Sequence, residues 1–157
     1  MKASTFNEVK KELQTLSAKD VLNLIIRVAK YKKENKELLS YLLFEAHDEN
    51  GYIENIKEEI DEQFKELPKA NLYLTKKTLR KILKSANKYI RYSGKKETEV
   101  EVRIYFCKKL KKSGIPIYTS QVLTNLLQMQ LKKINTVLLT LHEDSRFDYT
   151  KDIENLD

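Results

Sequence analysis

Glycine occurs three times, proline twice and tryptophan not at all in 157 residues. So few breakers, beside abundant Leu, Lys, Glu and Ile, favour an all-helical chain. The glycines stand at 51, 94 and 114, too scattered to assemble a Gly-rich phosphate loop. The single cysteine, Cys107, excludes an internal disulfide and a cysteine metal cluster. Within "IYFCKKL" it reads as a small buried packing residue. Only two histidines are present, His47 and His142, each at the end of a predicted helix. Neither has a second histidine four residues away, so no zincin pair exists. Phe44 and Leu139 occupy the places where a bundle di-metal site requires Glu three residues before His. Ser17, Ser40, Ser85 and Ser120 lack the surroundings of a nucleophile elbow. No catalytic residue, metal or cofactor is expected, and the chain reads as non-enzymatic. No apolar run approaches the roughly 18 residues of a membrane span, and "MKASTFNEVKKEL" is polar throughout. A protein of the cytoplasm, with no membrane partner, is the expectation.

What is present is helical periodicity. Seven helices are expected, folded as stacked antiparallel hairpins in one all-α domain over residues 1–157, as a bundle or a short solenoid. The first spans about 5–15, with Thr5 and Glu8 spaced as a capping box. Ser17 opens a second, whose wide apolar set Val21, Leu22, Leu24, Ile25, Ile26, Val28 and Ala29 predicts a central position. The third, about 35–47, is equally rich in leucine. The fourth carries a narrow seam, Ile53, Ile56, Ile60, Phe64 and Leu67, and ends at Pro68. Thr75 is placed to cap the fifth, which buries Leu79, Ile82, Leu83, Ala86 and Ile90. The sixth contains "ETEVEVRIYF", which alternates like a strand. Val100, Ile104, Cys107 and Leu110 nevertheless recur at helical steps, and helix is favoured. The seventh spans about 119–142. A polar, loosely ordered tail is expected from about 143.

One stretch imitates a calcium loop. In "HDENGYIENIKEE", Asp48, Asn50 and Gly51 fit loop positions 3, 5 and 6. Position 1 then falls on Ala46, without a side-chain oxygen, and position 12 on Lys57, a cation. The stretch reads instead as the end of one helix and the cap of the next.

Charge is the loudest signal. The net charge is +7, yet residues 69–112 hold fifteen Lys or Arg against three acids, while both flanks are slightly acidic. Lys77, Lys81, Lys84, Lys88 and Arg91 step by four, three, four and three, which aligns them on one helix face. Lys95, Lys96, Lys108 and Lys109 extend this basic surface. It suits an acidic protein partner, and the chain reads as a helical interaction domain. Nucleic acid is the alternative, with Tyr89 and Tyr92 as stacking rings. Against it, five of thirty cations are Arg, and no helix-turn-helix, zinc-finger or RNP-like motif is present. The fourth helix is acidic, so Glu58, Asp61, Glu62 and Glu66 are placed to neutralise Lys76, Lys77 and Arg80 across a hairpin.

Overall fold

The computed structural model describes residues 2–154 and residue 156, and among them every regular element is helical. Contacts gather into two compact units, Met1–Phe44 and Glu45–Asp157.

The N-terminal unit begins with α1, Phe6–Thr15. Its capping box is complete: Glu8 N–H donates to Thr5 Oγ1 at 3.3 Å, and Thr5 N–H donates to Glu8 Oε2 at 2.7 Å. Ser17 caps α2, Ala18–Tyr31, by accepting from Asp20 N–H at 3.2 Å. An extended Lys32 separates α2 from α3, Lys33–Ser40. The Asn35 amide reaches back to the Val28 carbonyl at 2.8 Å, and α3 packs on α2. A π-helical turn, Tyr41–Glu45, follows.

The central position expected for α2 is not found. No residue of α1, α2 or α3 is buried, and Leu22 and Val28 are 56% and 58% exposed. Apolar content alone does not place a helix at a centre. That also requires neighbours on every apolar side, and in this unit α3 covers one of them.

In the C-terminal unit, Asp48 caps α4, Glu49–Lys65, by accepting from Gly51 N–H at 3.0 Å, the helix cap expected there. The expected seam is buried: Ile53, Ile56, Ile60, Phe64 and Leu67. Helix α5, Leu72–Ser93, starts before the predicted cap. Asn71 takes that role, accepting from Leu74 N–H at 3.1 Å. Thr75 is instead buried in the first turn, its hydroxyl donating to the Pro68 and Asn71 carbonyls. Gly94 ends α5 at φ 66°, the left-handed conformation that glycine adopts without a Cβ penalty.

The strand-like segment is helical, within α6, Lys96–Lys112. A 3-10 turn at Ile117–Thr119 leads to α7, Gln121–Leu138. The segment expected as a loose tail forms an eighth helix, α8, Glu143–Glu154. Its polar sequence lacks an apolar stripe, so periodicity does not reveal it. Specific polar contacts dock it. The Arg146 guanidinium donates to the Leu138, Leu139 and Leu141 carbonyls at 3.1, 3.2 and 3.4 Å, satisfying the open end of α7. Tyr149 donates its hydroxyl to Glu101 at 3.1 Å.

Helix α6 is the hub, packing against α4, α5, α7 and α8, so this unit closes as a bundle. Its buried set, from Thr98 and Val100 through Phe106 and Cys107 to Leu110, surrounds the helix. Neighbours on all sides explain why its apolar residues alternate rather than form one stripe. Phe106 meets Phe64 of α4 edge to face, with ring centroids 5.7 Å apart.

Candidate anion-binding face on α5

The basic block divides in two. On α6 and at its start, four of the cations expected on the basic surface are held within the fold. Lys95 lies 2.9 Å from Glu49, Lys108 lies 2.6 Å from Asp152, and Lys109 lies 2.9 Å from Asp61. Lys96 donates to the Thr140 carbonyl at 3.2 Å. These four, expected to extend an outward basic surface, tie the hub to α4, α8 and the end of α7. A central helix carrying charges at alternate positions must find partners for them wherever neighbours approach.

On α5 the outcome is the opposite. Lys77, Lys81, Lys84 and Arg91 are exposed and form no ion pair among the described residues. The acids expected to neutralise this helix turn elsewhere. Asp61 accepts from Tyr105 at 2.7 Å as well as from Lys109, Glu62 pairs with Lys65 of its own helix, and Glu58 and Glu66 form no ion pair among the described residues. Lys76, Lys77 and Arg80 receive no carboxylate among the described residues. The fifth member of the stripe, Lys88, lies over the Tyr89 ring at 4.9 Å and the Tyr92 ring at 5.9 Å. The two rings are packed edge to face on each other, and neither is fully exposed.

Beside the stripe runs an open groove of about 550 Å³, where Arg80, Lys84, Asn87 and Arg91 face Glu99, Arg103 and Lys133. The Asn87 side-chain oxygen there is buried and has no hydrogen-bond partner among the described residues. Arg103 is committed inward, to Glu99 at 2.7 Å and to Gln130 at 2.8 Å. Arg80, Lys84, Arg91 and Lys133 therefore set the sign of the groove. Arg80 precedes Lys81 by one residue, a turn of about 100°, which puts it on the groove flank rather than in line with Lys77 and Lys81. Lys133 lies outside the basic block in sequence, on α7, and only packing brings it to this face.

Burial raises the Asp61 carboxyl, but hydrogen bonds from Lys109 and Tyr105 outweigh it and hold the pKa below the ordinary value. Burial and the bond to Asp61 push the Tyr105 phenol up to about 12. His142 pairs with Asp144 at 3.4 Å with both side chains exposed, which offers no enclosed acid–base site. Burial pushes the Cys107 thiol up to about 12, the reverse of an activated nucleophile. Among the described residues, no group of three or more His, Cys, Asp or Glu is placed to hold a metal ion, and no helix is long and apolar enough to cross a membrane. Compared with protein-family models, curated proteins and solved structures, the chain matches none.

Proposed function

We propose that the C-terminal unit is a binding module that recognises an acidic protein segment through the α5 face. The observation supporting this is the division of the basic block. Lys95, Lys96, Lys108 and Lys109 have carboxylate or carbonyl partners, whereas Lys77, Lys81, Lys84 and Arg91 have none among the described residues. Their three- and four-residue spacing offers one row of donors to a row of carboxylates, as on an amphipathic acidic helix. Such a row raises the association rate with a partner of opposite sign and sets its register. An acidic protein is favoured over nucleic acid because Tyr89 and Tyr92 pack on each other under Lys88, leaving neither ring as an open stacking platform.

The test is retention on an immobilised polyglutamate peptide and on duplex DNA as salt rises. Salt-sensitive retention on the peptide, lost in Lys81→Glu/Lys84→Glu and kept in Lys10→Glu/Lys11→Glu, is expected. No retention on the peptide by the native chain overturns the reading. Preferential retention on DNA, with a log–log salt slope of about −5 for about six phosphate contacts, replaces it with the nucleic-acid reading.

A further inference from the structure

The N-terminal unit poses a different problem. Among its described residues only Tyr41 is buried, although α2 is the most continuously apolar helix of the chain. At about 100° per residue, Val21, Leu22, Leu24, Ile25, Ile26, Val28 and Ala29 span an arc of roughly 200°. A surface helix that covers a core on one side needs an arc of about 100°. Helix α3 packs on α2, and an open groove of about 440 Å³ between α1 and α2, lined by Val9, Leu13, Leu16 and Leu24 with Glu8 and Glu12 of α1, leaves another part of the arc uncovered.

From this geometry we infer that the N-terminal unit is half of an interface, and that the occupant is a second copy of the same chain. Area is the first argument. The unit exposes about a dozen large apolar side chains, among them Leu22, Ile25, Ile26, Val28, Leu43 and Phe44. Ten of them lie on α2, α3 and the turn that follows, and at roughly 80 Å² for each half-exposed side chain they amount to about 800 Å², which is what a stable interface needs from each partner. Charge is the second. The charged residues of α2, Lys19, Asp20, Arg27 and Lys30, gather with Asn23 on the remaining arc, so no charge stands on the apolar one. A strongly acidic or basic partner finds nothing there to pair with, whereas an identical arc meets it without opposing like charges. Two copies related by a two-fold axis bring two α2–α3 hairpins together as four helices, and the contact closes on itself. The inference uses none of the α5 residues and does not depend on the function proposed for them.

The experiment is sedimentation equilibrium of the full chain across a wide concentration range, with hydrogen exchange of α2 measured at both ends of it. The native chain should sediment at twice its own mass, with α2 amides exchanging more slowly as concentration rises. Ile25→Asp should raise the dimer Kd at least a hundredfold. A chain that stays monomeric throughout, with α2 exchange independent of concentration, overturns the inference. So does association without limit into larger species, or a dimer that forms while α2 exchange is unaffected. The exchange readout on the native chain decides the matter even where the Ile25→Asp variant loses helix.

Discussion

The guanidinium of Arg103 donates to Gln130 Oε1 at 2.8 Å, and both residues are buried. This contact joins α6 to α7 inside the bundle and, with Glu99, completes the neutralisation of a cation held in the core. Gln130→Leu leaves an Arg103 donor buried and unpaired. The C-terminal unit should lose about 1–3 kcal/mol, measured by urea denaturation.

Glu49 is a second junction. Its side chain accepts from the Ser93 and Thr98 hydroxyls and pairs with Lys95 at 2.9 Å, joining α4 to the break between α5 and α6. Gln is the same shape without the charge. Glu49→Gln should cost about 1–3 kcal/mol by the same measurement, because charge-assisted hydrogen bonds are replaced by neutral ones.

Acid should weaken the α4–α6 contact through Asp61. Its folded pKa lies below the ordinary value of 3.8, so the ionised form is bound preferentially in the folded state. The resulting stabilisation is fully present above that value and is lost as pH falls through the lower folded pKa. Asp61→Asn should therefore flatten the acid limb of a Tm-versus-pH curve and lower stability at neutral pH by about 1 kcal/mol. An unchanged acid limb would show that Asp61 gains nothing from Lys109 and Tyr105.

The two halves of the basic block should respond differently to the same change of charge. Lys81→Glu/Lys84→Glu breaks no ion pair among the described residues, and stability should stay within about 0.5 kcal/mol of native. Lys108→Glu/Lys109→Glu sets like charges against Asp152 and Asp61 and should cost about 1–2 kcal/mol. Thermal denaturation of the two variants compares them directly.

Cys107 supplies a reporter. It is fully buried with a raised thiol pKa, and there is no other cysteine in the chain. A thiol reagent should leave the native protein unmodified and label it once denaturant opens the bundle. Fast labelling of the native protein would contradict the packing of α6.

Sequence periodicity reveals the helices better than their neighbours. The α4 seam and the buried face of α5 are legible because each contacts its core along one side, so apolar residues recur at steps of three and four. Helices α2 and α6 mislead in opposite ways. The first has the richest apolar set and no buried residue, while the second alternates like a strand and sits at the hub. Burial depends on what surrounds a helix, which one helix's sequence does not state. The same holds for the site. The stripe Lys77, Lys81, Lys84, Lys88 and Arg91 is fixed by spacing within α5. The engagement of Lys95, Lys96, Lys108 and Lys109, and the arrival of Lys133 beside Arg80, depend on contacts between residues far apart in sequence.

The four α5 cations without an ion pair among the described residues, Lys77, Lys81, Lys84 and Arg91, also bear on how the protein behaves on a column. A cation-exchange resin responds to the side that touches it rather than to the formal total of +7. Two variants of equal net charge, one altered at Lys81 and one at Lys109, should then elute at different salt, the first earlier. Elution order thereby becomes a map of which lysines meet the solvent unopposed.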